Sequence, residues 1–281
     1  MSLTVTIIQS QLYWEDKIAN LQQFEEKIHR INLPTEVVIL PEMFNTGFSM
    51  QPELLAETME GTSVAWMRKM AMQKRIILTG SLMIQEANQY YNRLIWMLPN
   101  GQYGYYDKRH CFAFAGEHEK YTAGNKRFIA QVKGWKINLQ ICYDLRFPVW
   151  ARQQKEATAI ETLPGVAHSK AKEVATAEYD VLIYVANWPE RRNHAWKTLL
   201  TARAIENQAY VIGVNRVGYD GNEIYHSGNS MVVDAMGEVL YHQQHDEDIF
   251  TITLEKEKLE QARTQFPFWK EADYFRIMND V

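Results

Sequence analysis

This sequence of 281 residues predicts a mixed, layered α/β fold. Three observations carry that expectation. Apolar strand runs alternate with helical stretches from one end to the other. Hairpin turns are interspersed among them, which fits poorly with a purely parallel, doubly wound sheet. No composition shift marks a linker and no internal repeat is visible, so one domain is expected over residues 1–281.

The elements follow in order. Val5 to Gln9 is a buried strand, and Leu21, Phe24 and Ile28 recur at helical spacing within Asn20 to Arg30. Val37 to Leu40 is a second buried strand, stopped by Pro41. Thr62 to Lys74 reads as a helix with Val64, Met67 and Ala71 inward, and Arg75 to Thr79 returns to strand. Tyr90 to Met97 and Tyr103 to Tyr106 flank the turn Pro99-Asn100-Gly101. Phe128 to Val132 and Trp135 to Ile141 do the same around Lys133-Gly134. Val181 to Val185 and Val211 to Val214 are core strands on either side of a helix, Trp196 to Gln208, with Leu199, Leu200 and Ala204 on one side. Ser230 to Val233 and Glu238 to Tyr241 bracket Ala235-Met236-Gly237. Ile249 to Leu254 is the last clear strand, followed by a charged helix near Glu255 to Arg263.

Composition narrows the function classes. Basic residues number 30 against 34 acidic, a net charge of −4, which argues against nucleic acid or an anionic membrane as the main partner. No apolar run approaches the length of a membrane span. The opening MSLTVTIIQSQLYW lacks the basic flank and apolar run of a signal peptide. The two cysteines, Cys111 and Cys142, form no CxxC pattern, so a reducing cytoplasm is the expected setting. No HExxH or EF-hand spacing and no glycine-rich phosphate loop is present, so no metal or cofactor is expected.

Several polar residues stand where strands end. Cys142 closes the apolar strand of INLQICYDLRFP. A thiol at a strand–turn junction suits a nucleophile, with the amide of Tyr143 as an oxyanion donor; a buried structural cysteine is the alternative. Glu42, in VVILPEMFNTGF, suits a general base or a loop acid. Lys108, in YYDKRHCF, would stabilise a thiolate or oxyanion, or belong to a charged rim with Arg109 and His110. Glu117, in AFAGEHEKYTAG, would orient Lys108 or decorate the surface. His110 and His118 remain alternative bases, because spacing alone does not choose between histidine and glutamate.

Taken together, these segments resemble the nitrilase superfamily of carbon–nitrogen hydrolases. LPEMFNTGF, YYDKRHCF and ICYDLRFP match its three signatures in order, on Glu42, Lys108 and Cys142, with Glu117 as the additional family glutamate. The separations are 66 and 34 residues, and the likeness covers about Leu3 to Phe275. More closely, YVANWPERR, LLTARAIENQAYVIGVNRVG and HSGNSMVVDAMGEVL are similar to bacterial omega-amidases of the YafV type.

The resemblance implies a four-layer α-β-β-α sandwich of the carbon–nitrogen hydrolase type, without cofactor. It implies hydrolysis of the terminal amide of 2-oxoglutaramate or 2-oxosuccinamate, to the 2-oxo acid and ammonia, through a thioester on Cys142. Another small aliphatic amidase, a carbamoylase, a nitrilase, or a non-catalytic binding or assembly protein on the same fold are the alternatives. The resemblance further implies a homodimer or higher homo-oligomer, with the C-terminal tail, about 261–281, reaching the partner subunit.

The substrate's acid end would need a positive or amide-rich pocket. Arg146 is a possible clamp, although a brace through Asp144 is the favoured reading. Phe44, Phe48, Phe112 and Trp188 are expected as pocket walls, with backbone contacts from Asn187 and Trp188. One departure from the family pattern is an insertion of roughly 25 residues at about 152–177, a length that costs little in loop entropy.

Overall fold

A computed structural model describes residues 1–153, 177–273, 275 and 277. Most of the insertion expected at 152–177, and the final part of the expected tail, therefore lie outside the described residues.

The chain begins β1 (Ser2–Gln9), α1 (Lys17–His29), β2 (Val37–Ile39), α2 (Pro52–Leu55), α3 (Thr62–Lys74). It continues β3 (Ile77–Glu86), β4 (Gln89–Met97), β5 (Tyr103–Asp107), α4 (Glu117–Lys120), β6 (Ile129–Val132), β7 (Trp135–Ile141), α5 (Pro148–Ala151). It ends β8 (Val181–Ala186), α6 (Asn193–Asn207), β9 (Tyr210–Asn215), β10 (Val217–Tyr219), β11 (Tyr225–Val233), β12 (Val239–Gln244), β13 (Asp248–Glu255), α7 (Lys256–Gln265). One sheet runs β13-β1-β2-β3-β4-β5, and the other β10-β11-β9-β8-β7-β6 with β12 also on β11. β1, β2 and β3 are parallel, as are β7, β8 and β9, while the remaining pairings are antiparallel.

Strand periodicity explains the layers. Successive side chains of a strand point to opposite faces, so a strand buried on both sides feeds two cores. Leu3, Val5 and Ile7 of β1, Val37 and Ile39 of β2, Ile137, Leu139 and Ile141 of β7, and Val181, Ile183 and Val185 of β8 fill one core between the sheets. Intervening Val38, Leu78 and Ile95 meet Phe24 and Ile28 of α1 and Val64, Met67 and Met70 of α3. On the other side, Leu182, Tyr184 and Val211 meet Trp196, Leu200 and Ala204 of α6. The result is the expected order of helices, sheet, sheet and helices.

Two local features depart from the sequence expectation. The strand expected at Arg75 to Thr79 starts at Ile77 and runs to Glu86. Arg75 instead caps α3 in the left-handed region at φ 56°. β3 then turns into β4 through Ala87 and Asn88, at φ 49° and 61°, a two-residue hairpin without the usual Asn-Gly signal. The Lys133-Gly134 turn, in contrast, has both residues at positive φ, as its sequence predicts. The short β10 has no counterpart in the periodicity because only Val217 of its three residues is buried.

Candidate active site

Four polar residues stand just beyond strand ends: Glu42 after β2, Lys108 after β5, Cys142 after β7 and Asn187 after β8. Pairing within each sheet brings these ends to one edge of the sandwich. Cys142 takes φ 43°, a left-handed conformation that a non-glycine residue holds at a cost of about 1–3 kcal/mol. The chain reverses there from β7 into a single turn, Cys142–Arg146. This is the sharp strand-to-turn junction that the sequence suggested.

Glu42, Lys108 and Glu117 are buried and directly bonded. The Lys108 ammonium donates to Glu42 Oε1 at 2.9 Å and to both oxygens of Glu117, at 3.0 and 2.9 Å. Asn92 of β4 donates through Nδ2 to Glu42 Oε1 at 2.8 Å and to Glu117 Oε1 at 3.3 Å. The backbone N–H of Asn187 donates to Glu42 Oε2 at 2.8 Å, and that of Phe112 to Glu117 Oε2 at 2.5 Å. Two carboxylates thus share one ammonium and three further donors, which is what makes their burial tolerable.

The electrostatics follow from that arrangement. Burial opposes the charge on Lys108, but Glu117 and Glu42 outweigh it and hold the ammonium well above its ordinary value. Burial raises the Glu117 carboxyl, with Lys108 pulling the other way. For Cys142, burial and then the Glu42 charge push the thiol well above its usual range, against Lys108. Both influences favour the neutral thiol over the thiolate. Cys111 is pushed up to about 12, mainly by burial.

A cavity of about 420 Å³ opens over Cys142 and Lys108. Phe48, Phe112, Tyr143, Arg146, Asn187 and Trp188 are among the residues that line it. The Lys108 ammonium lies 5.0 Å from the Phe48 ring centre. Among the described residues, no group of three or more His, Cys, Asp or Glu side chains is arranged to hold a metal ion.

Two expectations need correction. Phe44 is not a pocket wall: it packs under helices against Phe24 and Trp66, with its ring over Gly80 of β3. Met43, at φ 43°, turns the chain so that the side chain two places after Glu42 faces the helix layer. Arg146 does not brace Asp144. It is exposed, lines the cavity and lies over Trp188 at 4.9 Å. Asp144 is held instead by Tyr106, His110 and Ile141. The backbone N–H groups of Asn187 and Trp188 are committed within the protein, to Glu42 and to Asn215 Oδ1 at 2.8 Å. Neither histidine offered as a base borders the cavity: His110 faces Asp144 and His118 is exposed.

Sequence reasoning missed Asn92, Arg191 and Arg192. Asn92 is a polar residue at a buried position of β4, visible only as an interruption in an apolar strand. Arg191 and Arg192 follow the Trp188-Pro189 turn and line the same cavity as Arg146. Arg192 lies over the Phe112 ring at 5.0 Å. Burial, and then the neighbouring Arg191, lower its pKa.

The carbon–nitrogen hydrolase family model matches residues 4–264. Omega-amidase YafV of Escherichia coli (strain K12) is 39% identical over 276 residues, covering 98% of each chain. The 2-oxoglutaramate amidase of Bacillus subtilis is 27% identical over 270 residues, covering 95% of this chain and 96% of that one. Among solved structures, a CN-hydrolase superfamily protein from Xanthomonas campestris, with an arsenic adduct in its active site, is 37% identical with a TM-score of 0.90. That alignment covers 99% of this chain and 100% of the other.

Proposed function

This chain belongs to the carbon–nitrogen hydrolase family, and we propose that within it the protein is an omega-amidase, hydrolysing the terminal amide of 2-oxoglutaramate or 2-oxosuccinamate. The observation that carries the substrate reading is the cavity itself. It joins Cys142 and Lys108 to Arg146, Arg191 and Arg192, which have no carboxylate partner in the hydrogen bonds and ion pairs of the described residues. A small amide that also bears a carboxylate satisfies both halves, since guanidinium forks recognise carboxylates through paired hydrogen bonds.

The reaction follows from the buried cluster. Glu42 takes the thiol proton as Cys142 attacks the amide carbon, since burial and the Glu42 charge disfavour a free thiolate. Lys108 and the Tyr143 amide stabilise the oxyanion. Three acceptors occupy the Lys108 ammonium, two of them on Glu117, so one hydrogen can turn to the oxyanion while Glu117 still holds the group. Glu42 returns the proton to the departing ammonia and leaves a thioester on Cys142. Water, deprotonated by Glu42, then releases the 2-oxo acid and restores the thiol.

The same reading carries a cytoplasmic setting, supported by the free thiols of Cys111 and Cys142, and a homodimer or higher homo-oligomer, checked by light scattering. The deciding experiment is ammonia release from 2-oxoglutaramate, 2-oxosuccinamate, glutamine, N-carbamoyl amino acids and nitriles. Preference for the 2-oxo acid amides is expected, and preference for a nitrile or carbamoyl substrate would overturn the assignment.

A further inference from the structure

We infer that Asp144, with His110 and Tyr106, forms a positioning clasp that locks the turn carrying Cys142 to the loop carrying Lys108. The inference rests on the roles proposed above for Cys142 and Lys108. None of the three clasp residues lines the cavity, so they act through their neighbours.

Asp144 is fully buried, and both its oxygens are filled from two different parts of the chain. Oδ1 accepts from the backbone N–H of His110 at 3.0 Å and meets that residue's Nδ1 at 2.8 Å. Oδ2 accepts from the Tyr106 hydroxyl at 2.8 Å and the Ile141 N–H at 3.0 Å. Ile141 immediately precedes Cys142, and His110 stands two residues beyond Lys108. One carboxylate therefore grips the nucleophile turn and the lysine loop together.

The clasp is itself held. The Tyr106 hydroxyl accepts from Trp150 Nε1 at 2.8 Å and from the Arg109 N–H at 3.1 Å. The His110 ring stacks on Phe147, centroids 3.7 Å apart and planes 5° from parallel, with Trp150 at its edge. It has little freedom to swing away from Asp144. The left-handed backbone at Cys142 needs external support of this kind, since such strain persists only where surroundings over-determine it. Displacing a nucleophile by a fraction of an ångström costs rate without weakening substrate binding.

The test separates positioning from folding. His110→Phe keeps an aromatic ring against Phe147 but removes the donor to Asp144, whereas His110→Asn returns an N–H near the place of Nδ1. With 2-oxoglutaramate, H110F is expected to lower kcat about 10- to 100-fold while KM stays within about twofold. Alkylation of Cys142 by iodoacetamide should slow in parallel, and H110N should recover most of both. Asp144→Asn should show the same kcat-selective loss; if it does not fold, the histidine pair carries the test. Wild-type kcat in H110F, no recovery in H110N, or a loss confined to KM would overturn the clasp while Cys142→Ala remains inactive. Turnover by C142A is a separate result, which overturns the reading beneath it.

Discussion

Glu42→Gln separates the proposed base from the scaffold around it. The Glu42 carboxylate is fully buried and meets only donors: Asn92 Nδ2 at 2.8 Å and Lys108 Nζ at 2.9 Å on Oε1, and the Asn187 N–H at 2.8 Å on Oε2. A glutamine has one acceptor oxygen and one –NH₂ group. With its oxygen toward Lys108 and Asn92, its –NH₂ opposes the Asn187 N–H. One bond is lost and two buried donors, the Asn187 N–H and the new –NH₂, face each other without an acceptor, a cost of roughly 1–3 kcal/mol each. Losing the charge offsets part of this, because Glu42 and Glu117 repel one another across the shared ammonium. Melting should therefore fall by roughly 5–15 °C with the protein still folded at assay temperature. Catalysis should suffer far more, since removing a general base costs about 10²- to 10⁴-fold. Ammonia release from 2-oxoglutaramate measures kcat, and intact mass after mixing reports any thioester on Cys142. An E42Q protein with kcat within about tenfold of wild type would refute the base assignment.

C142A should abolish turnover with its melting temperature close to wild type, read by the ammonia assay and a thermal scan. Arg192→Gln should raise KM for 2-oxoglutaramate, with a loss of about 10- to 100-fold in kcat/KM, the worth of a hydrogen bond to a charged group. An uncharged small amide assayed beside it should be little affected. His226 gives a pH prediction. Burial, and then Arg216, lower its pKa from 6.5 to about 4. As pH falls through 6.5 the unfolded chain takes up the proton first, so stability present above that pH drains as pH falls toward 4. The loss should be roughly 2 kcal/mol at pH 5, and urea melts should show it shrinking in His226→Asn.

Much of this molecule is legible in the order of its residues. Apolar runs such as VVIL and the alternation in WKINLQI are set by local backbone geometry, because a strand that buries both faces admits few polar residues. The Lys133-Gly134 turn is equally local, while Ala87-Asn88 shows that a partner strand can impose a hairpin on residues that do not announce one. Glu42, Lys108, Glu117 and Cys142 were visible as polar residues at or near strand ends, ordered as in a known family.

Their partners were not. Asn187 reaches Glu42 across 145 residues, and His110 reaches Asp144 across 34, so neither bond has a local signature. The orientation of Phe44 turns on one left-handed residue, and the place of Arg146 on which groups had already filled Asp144. The sequence by itself determined the elements, their order and the chemical groups at their ends, because these depend on periodicity and residue type. Only the tertiary structure decided which donors satisfy each buried charge and which cavity guanidiniums lack a carboxylate partner among the described residues, because that choice depends on distances between strand ends that pairing alone sets.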